Sequence, residues 1–233
     1  MRILVIDVGG SHVKLLATDA DEARRFDSGP DFTPTQLVER TRELSTDWNY
    51  DAISLGYPGA MGPNGPSAEP GNLGPGWVGF DYEAAFGKPI RIVNDAVMQA
   101  LGGYDGGRML FLGLGTGLGS SLVTERVIVP LELGSLAWTN GETLFDLLGR
   151  DGLERRGRNA WMQTLRDATH TLRDAFMADY IVLGGGNVEQ VEPMPSGTRR
   201  GGNDDAFTGG FRLWEDIVQP HDHPPTPIWR VVR

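Results

Sequence analysis

The sequence contains no cysteine and almost no lysine. Among 233 residues there is no Cys, and only Lys14 and Lys88 accompany the arginines in a Lys+Arg total of 21. Without cysteine the chain has no disulfides, no thiolate nucleophile and no Cys-ligated zinc. The absence also fits a reducing compartment, so we expect a cytoplasmic protein.

Positive charge and long apolar runs are also scarce. The 31 Asp+Glu residues outnumber Lys+Arg and give a formal net charge of −10 at pH 7. A nucleic-acid binder needs a basic surface, so this charge argues against one. No apolar run reaches the roughly 18 residues of a membrane span, and the N-terminus shows no signal-peptide cleavage pattern. We therefore expect no nucleic-acid partner and no membrane partner.

Glycine, by contrast, is abundant, and it falls in short clusters between apolar runs. Its 33 residues are roughly twice the average usage. The first cluster, D-V-G-G-S (Asp7–Ser11), separates the apolar run 3–6 from a second run, 13–17. Two apolar runs around a Gly-Gly turn predict a β-hairpin whose strands are buried on both faces.

A second unit of the same kind begins at Met109. An apolar run, 109–112, is followed by G-L-G-T-G-L-G (Gly113–Gly119) and then by 120–123. This recurrence favours two related α/β domains, each opening on a glycine hairpin. Two unrelated hairpins are the alternative.

The remaining pattern predicts the organisation of the chain. We expect a helix that starts after the N-cap Thr33 and Pro34 and ends at Leu44. The other predicted elements are strands 52–56, 90–93 and 180–183 and helices 96–101, 161–176 and 205–218. The expected parts are an N-terminal α/β domain at 1–105, a C-terminal α/β domain at 106–204, a terminal helix at 205–218 packing on the N-terminal domain, and an extended Pro-rich tail at 219–233.

Glycine turns at strand ends are suited to anions, because bare backbone lets N–H groups approach a phosphate. An aspartate beside a phosphate needs a cation between them, so Asp7 suggests Mg²⁺ held directly or through water. The second turn adds the hydroxyl of Thr116, and it matches neither a P-loop nor a dinucleotide fingerprint. A third cluster, Gly184–Gly186, would let a nucleotide or a polymer lie close to the backbone.

The pair Asn94-Asp95 follows the predicted strand 90–93. Ligands of open α/β sheets bind beyond the carboxyl ends of the strands. An aspartate there can accept a proton from an alcohol, while the asparagine binds a neighbouring hydroxyl. The alternative is that the pair caps the next helix, and the residues alone leave both interpretations open.

Together these motifs resemble the ROK family of sugar kinases, within the actin-like ATPase superfold, and among them the polyphosphate glucokinase branch. Seven motifs follow the family's order along residues 3 to about 217. Besides the three glycine clusters and V-N-D-A (Val93–Ala96), they are L-G-Y-P-G (Leu55–Gly59), G-N-L-G-P-G-W (Gly71–Trp77) and E-L-G (Glu132–Gly134).

The resemblance implies two actin-like (ribonuclease H-like) α/β domains with a cleft between them. It implies phosphoryl transfer from ATP or polyphosphate to the 6-hydroxyl of glucose or a related hexose, with Asp95 as general base and Asp7 beside Mg²⁺. The implied sugar-binding residues are Asn72, Asn94, Asp95, Glu132, Ser135 and Glu142. The implied phosphate- and nucleotide-binding residues are Gly9, Gly10, Ser11, Lys14, Gly115, Thr116, Gly117, Gly184, Gly185 and Gly186. The face of Trp77 is expected to reach the sugar, and the family habit suggests a homodimer.

Three departures from the family pattern qualify this expectation. Ser135 stands where family members place a sugar-contacting histidine after E-L-G. The Cys-rich zinc motif is missing, as in the polyphosphate branch, so no zinc is expected. Lysines near the third glycine cluster are replaced by 188–190, with Arg199-Arg200 as candidates to compensate. A kinase for an amino sugar or small polyol, and a non-catalytic sugar-binding protein, are therefore the alternatives.

Overall fold

The structure is a computed structural model that describes residues 1–202, 204–217, 226–227 and 229–232. Within them the chain forms two compact units, each with its own sheet and core. The first contains Met1–Met98 and the segment that begins at Ala206, and the second contains Gln99–Asp205 with Trp229–Val232.

The first unit opens on the predicted hairpin. β1 (Ile3–Val8) and β2 (His12–Ala17) pair antiparallel, with Val8 opposite Val13 at the glycine turn. β3 (Arg24–Asp27), which the sequence pattern did not predict, extends the meander. The elements that follow are α1 (Pro34–Leu44), β4 (Ala52–Tyr57), β5 (Met61–Gly62), β6 (Gly65–Pro66), α2 (Tyr82–Phe86), β7 (Ile90–Asn94) and α3 (Asp95–Gly102).

The five-stranded sheet of this unit has the order β3-β2-β1-β4-β7. β1, β4 and β7 run parallel, so their carboxyl ends meet at one edge of the sheet. Asp7 lies opposite Gly56, and Gly56 lies opposite Val93, one residue before Asn94. The sheet therefore places the first glycine turn and the Asn94-Asp95 pair at the same edge.

Helix α1 confirms the capping prediction. The side chain of Thr33 accepts the Gln36 N–H, and the Gln36 side chain accepts the Thr33 N–H at 2.9 Å, which is a capping box with Pro34 at the first position. Such reciprocal bonds satisfy two N–H groups that a helix start leaves unpaired. Leu37 and Val38 on the buried face pack into the core beneath the sheet.

The second unit repeats this arrangement. Its elements are β8 (Arg108–Leu114), β9 (Leu118–Thr124), β10 (Val127–Leu131), β11 (Ala137–Thr139), β12 (Glu142–Thr143), α4 (Leu144–Leu148), α5 (Arg150–Ala175), β13 (Tyr180–Gly184) and β14 (Thr198–Arg200), with 3₁₀ turns at Leu133–Ser135 and Gly186–Gln190. After them come α6 (Asp205–Arg212), β15 (Asp216–Ile217) and β16 (Thr226–Pro227), which belong to the first unit from Ala206 onward, and β17 (Arg230–Val231), which pairs with β10 of the second unit.

The two sheets share one topology. The second has the order β14-β13-β8-β9-β10-β17. Its β10-β9-β8-β13-β14 portion matches β3-β2-β1-β4-β7 in order, with the hairpin strands antiparallel and the remaining pairs parallel. This shared topology supports two related α/β halves over two unrelated hairpins.

Helix α5 contains the predicted amphipathic segment. Trp161, Leu165, Ala168 and Leu172 are buried on one face. The helix begins at Arg150, well before the predicted start. The sequence pattern missed this first part because residues 150–158 are mostly polar and show no apolar period. Gly157 (φ 74°) marks a kink there. No helix among the described residues has the length and apolar composition to cross a membrane.

The prediction of a terminal helix over 205–218 is wrong at its end, because α6 stops at Arg212. The indole N–H of Trp214 donates to the Ser54 hydroxyl at 2.9 Å, and that hydroxyl donates to the Gly210 carbonyl at 2.6 Å. This chain of bonds turns the backbone toward the sheet, and β15 then pairs with β16. Of the extended tail predicted at 219–233, residues 219–225, 228 and 233 lie outside the described residues, while Thr226–Pro227 and Arg230–Val231 form short strands.

The packing of α6 on the first sheet depends on the missing side chain of Gly210. A Cβ there would overlap the Val5 side chain of β1. We expect Gly210→Ala to lower the free energy of unfolding by about 1–2 kcal/mol, because overpacking typically costs 1–3 kcal/mol and alanine returns up to about 1 kcal/mol of helix propensity.

Urea unfolding of the variant tests this expectation. Gly71→Ala is the matched control, since a Cβ at Gly71 meets open space at an ordinary φ. An unfolding free energy for Gly210→Ala equal to that of the control would contradict the close packing of α6 on β1.

Candidate functional site

In the first glycine turn, two carbonyl groups are occupied and two amides are open. Gly9 donates to the His12 carbonyl at 3.0 Å. The Ser28 hydroxyl donates to the Gly9 carbonyl at 2.7 Å, and the Ser28 N–H donates to the Ser11 carbonyl at 3.0 Å. The N–H groups of Gly10 and Ser11 donate to no residue in the described part of the chain. Open amides in such a turn are suited to an anion.

Asp7 is the penultimate residue of β1, just before this turn. Its carboxyl is half-buried, and Asp7 lies opposite Lys14 on β2 and opposite Gly56 on β4. Burial raises the pKa of the Asp7 carboxyl above its ordinary value, while the charge of Lys14 acts in the opposite direction. A Cβ on Gly56 would overlap Met98 and would lie 3.5 Å from the Asp7 Oδ1. The charged form of Asp7 is thus disfavoured unless a cation accompanies it.

The surroundings of Asp7 fit Mg²⁺. Within the described ranges, no cluster of three or more His, Asp or Glu side chains forms a metal cage. Mg²⁺ normally keeps several waters and binds through one or two carboxylates together with substrate phosphates. Asp7 supplies one carboxylate whose charged form burial disfavours, and the neighbouring turn has open amides that suit a phosphate. This combination matches the way in which Mg²⁺ binds.

Arg25 joins Lys14 near the turn. The two residues are directly opposed on β2 and β3, and both side chains are exposed. Like charges in this arrangement repel each other, and Arg25 forms no ion pair with another described residue. Sequence analysis missed Arg25, because R-R-F-D (Arg24–Asp27) lacks the apolar run that predicts a strand. The only sequence signal was the single Phe26 among charges.

The Asn94-Asp95 pair both caps a helix and ends a strand. The Asn94 Oδ1 accepts the Ala96 N–H at 3.0 Å, and its Nδ2 donates to the Gly59 carbonyl at 3.1 Å. Asp95 is the first residue of α3, and its Oδ1 accepts the Ala96 N–H at 2.8 Å. The capping alternative therefore holds for Asn94. Asp95 is fixed at the carboxyl edge of the sheet, the edge at which open α/β sheets bind ligands.

Asn72 lies directly over the first turn. A Cβ on Gly10 would overlap the Asn72 side-chain amide, so the two residues are in close contact. Asn72 is exposed and belongs to the sugar-side loop, which we define as residues 69–78. Within the first unit, the structure thus brings a predicted sugar-binding residue against a predicted phosphate-binding one.

The expectation that the Trp77 face reaches the sugar is wrong. Trp77 is fully buried, and its indole N–H donates to the Gly74 carbonyl at 2.7 Å. The rings of Phe32 and Tyr57 pack against it with centroids at 6.0 and 5.8 Å. Trp77 anchors the sugar-side loop to the core instead.

In the second unit, the second and third glycine turns are tied together. The side-chain amide of Asn187 donates to the Gly115 carbonyl at 3.0 Å, and the Arg150 N–H donates to the same carbonyl at 3.0 Å. The N–H groups of Thr116 and Gly117 have no acceptor among the described residues. This turn therefore resembles the first one, with its carbonyls held and its outer amides open.

The glycines of the third turn serve two purposes. A Cβ on Gly184 would lie 2.8 Å from the Phe111 ring, and one on Gly185, at φ +80°, would lie 2.5 Å from the Leu114 carbonyl. Close packing against β8 explains these two. Gly186 and Gly115 face open space, so they are the glycines of this unit's turns that leave room beside the backbone.

The predicted sugar contacts of the second unit lie on its surface. Glu132 and Ser135 are exposed, and the Ser135 hydroxyl donates to the Glu132 carbonyl at 2.7 Å. Glu142 forms an ion pair with Arg155 at 2.6 Å. The hydroxyl at position 135 is thus folded back on its own turn, and the Glu142 carboxylate is already neutralised.

The arginines proposed to compensate for missing lysines are occupied by the protein itself. Arg199 pairs with Asp105 at 2.7 Å, also donates to the Gly103 carbonyl, and stacks over Tyr180. Arg200 donates to the Val191 carbonyl at 3.0 Å. Neither guanidinium is presented as an unoccupied binding group for a long polyanion.

No family model matches the chain, and a search of curated proteins gives no match. Solved structures do match. The polyphosphate/ATP-glucomannokinase of Arthrobacter sp. strain KM superposes with a TM-score of 0.76 at 22% identity, over 89% of this chain and 96% of that one. A ROK family glucokinase from Streptomyces griseus, in complex with glucose and AMPPNP, gives 0.56 at 16% identity, over 100% and 94%.

A ROK family transcriptional regulator, a homolog of the E. coli MLC protein, also matches. Its TM-score is 0.61 at 13% identity, over 90% of this chain and 76% of that one. The protein has the fold of the ROK sugar kinases. This confirms the expected α/β class and actin-like architecture, and because a regulator shares the fold, activity has to be argued from the site.

The raised pKa of Asp7 predicts a pH-dependent stability. Since the folded protein holds this proton more tightly than the unfolded chain, whose value is near 3.8, the Asp7 contribution to the free energy of unfolding falls as pH rises above about 4. Without divalent cations, Asp7→Asn should therefore be more stable than the wild type at pH 7, and the difference should vanish near pH 3.5.

Urea unfolding across this pH range measures the effect. Asp19→Asn, at an exposed position, is the control. An Asp7→Asn variant that is less stable than the wild type at pH 7 would show that the Asp7 charge is already compensated within the protein.

Proposed function

We propose that the protein is a sugar kinase that transfers a phosphoryl group from ATP or polyphosphate to the 6-hydroxyl of glucose or a related hexose. One observation carries the proposal: a single sheet edge combines Asp95, the open amides of the first turn, and Asn72 lying over that turn. The kinases among the structural neighbours use these kinds of substrate, which supports the proposal.

Asp95 is the proposed general base. As the sugar's 6-oxygen attacks the terminal phosphorus, its proton passes to the Asp95 carboxylate, the new O–P bond forms, and the bond to the leaving phosphate breaks. Phosphoryl transfer asks a protein mainly for positioning and charge stabilisation. Because Asn94 caps α3 and is bonded to Gly59, Asp95 is presented from a rigid helix start.

In each unit by itself, the open N–H groups of the glycine turn are proposed to bind phosphate, at Gly10 and Ser11 in the first unit and at Thr116 and Gly117 in the second. Lys14 and Arg25 add positive charge beside the first turn. Mg²⁺, held by Asp7 directly or through water, would neutralise charge on the donor phosphates. The engaged state of Arg199 and Arg200 favours ATP or a short polyphosphate over a long chain.

A different acceptor is the second candidate. Ser135 is short, and its hydroxyl turns back to Glu132, so the position where a histidine is expected leaves room for another substituent. An amino sugar or a small polyol would then be the substrate. A panel of acceptors separates these cases, and tight sugar binding without turnover would indicate a sugar-binding protein instead. The homodimer and the cytoplasmic location stay predictions.

Removal of the Asp95 carboxylate should abolish most of the turnover. We expect Asp95→Asn to lower kcat by about 10²- to 10⁴-fold, the usual contribution of a general base. The KM for the sugar should change little, because the amide can still accept a hydrogen bond. A coupled assay for sugar phosphate, run with each donor, measures both constants.

Asp19→Asn is the matched control for this variant, since it removes an exposed carboxylate elsewhere in the same unit. Wild-type turnover that persists in Asp95→Asn would exclude Asp95 as the base. No turnover of any hexose by the folded wild type would exclude the kinase itself.

The Lys14–Arg25 pair should act on the donor alone. We expect Lys14→Ala and Arg25→Ala each to raise the donor KM about tenfold, since losing one charge-assisted bond of about 1.5 kcal/mol corresponds to that factor. The sugar KM should stay within twofold. Lys88→Ala, which removes the only other lysine, is the control, and an equal effect of all three variants would point to net charge rather than a local site.

A further inference from the structure

The sugar-side loop is closed by its own first residue. The Glu69 carboxylate accepts the Trp77 N–H at 3.0 Å and the Val78 N–H at 3.2 Å. Together with the Gly76 N–H, these donors lower the pKa of Glu69. Consecutive N–H groups that converge on one anionic group form a typical anion-binding concavity. Here a side chain of the same loop fills it.

The base of the loop is held in the core. Leu73 and Trp77 are buried in the hydrophobic cluster of the first unit. The Gly74 N–H donates to the Phe32 carbonyl at 3.0 Å, and a Cβ on Gly74 would come within 2.8 Å of the Asp31 backbone. The loop therefore has two anchors, its apolar floor and the Glu69 carboxylate that joins its ends.

Asn72 stands between these anchors on the exposed side of the loop. Its side-chain amide occupies the space that a Cβ of Gly10 would need. The loop positions this amide through the backbone of residues 70–74 alone, because Asn72 makes no side-chain hydrogen bond within the described residues. Anything that loosens the loop closure therefore shifts Asn72 relative to the first turn.

We propose that Glu69 is a positioning residue that fixes the sugar-side loop so that Asn72 is pre-arranged over Gly10 for the sugar. This inference rests on the proposed function. Glu69 itself touches no substrate; it acts by closing the loop before binding. Without its carboxylate, the loop would become ordered only when the sugar binds. The free-energy cost of that ordering weakens the affinity for sugar and leaves the chemical step unchanged.

Titration calorimetry with glucose and steady-state kinetics test the proposal on Glu69→Gln. We expect the dissociation constant and the KM for glucose to rise about tenfold, with kcat within twofold of the wild type. Glu83→Gln is the matched control, because Glu83 is also exposed and accepts a single backbone N–H, that of Ile90 at 3.3 Å, outside the loop. Unchanged glucose affinity in Glu69→Gln would overturn the proposal.

A double-mutant cycle with Asn72→Ala separates positioning from a general loss of stability. If Glu69 acts through Asn72, Glu69→Gln should weaken glucose binding less than twofold further in the Asn72→Ala background. Fully additive effects would show that Glu69 supports the fold without positioning Asn72.

The same measurements distinguish failure of this inference from failure of the proposed function. Glucose binding without turnover by the wild type would overturn the kinase, while calorimetry on Glu69→Gln would still decide the role of Glu69. A folded wild type that binds neither glucose nor another sugar of the acceptor panel would overturn both.

Discussion

The arrangement depends on backbone that is left bare at the end of a strand. Between β1 and β2, Gly9 and Gly10 form a turn in which the Gly9 N–H donates to the His12 carbonyl and Ser28 donates to the Gly9 and Ser11 carbonyls, while the N–H groups of Gly10 and Ser11 have no acceptor among the described residues. A side chain at Gly10 would displace Asn72. The absence of two side chains thus leaves the amides open and allows the contact with the sugar-side loop. Asp7 beside them carries a charge that burial disfavours without a cation.

The shared topology of the two sheets produces such a turn once in each unit, but different residues support each one. Ser28 and Asn72 hold the first turn, whereas Asn187 and Arg150 hold the second. The residues that support each turn therefore lie in the segments after the hairpins. This pattern is consistent with duplication of a phosphate-binding hairpin followed by divergence of the connecting loops.

Local patterns in the sequence predicted much of this structure. The two hairpins, helix α1 with its cap and the strand before Asn94-Asp95 follow from short-range signals, and the structure contains them with nearly the predicted bounds. Long-range contacts account for what was missed. Helix α6 ends early because Trp214 reaches Ser54, and Trp77 is buried because Phe32 and Tyr57 surround it.

Three site residues were beyond the reach of sequence patterns for related reasons. Glu69 is bonded to backbone N–H groups, and residue types in a sequence do not show which backbone groups a side chain will meet. Arg155 neutralises Glu142 from α5, thirteen residues further along the chain. Arg25 meets Lys14 only because β3 pairs with β2.

A crystal structure of the protein with glucose and a non-hydrolysable ATP analogue tests the central claim most directly, because the claim concerns one distance. The account predicts the sugar's 6-oxygen within hydrogen-bonding reach of the Asp95 carboxylate, about 2.6–3.2 Å, with the Asn72 amide on another sugar hydroxyl. A sugar bound with its 6-oxygen turned away from Asp95, or bound at a site that does not include Asn72, would contradict it.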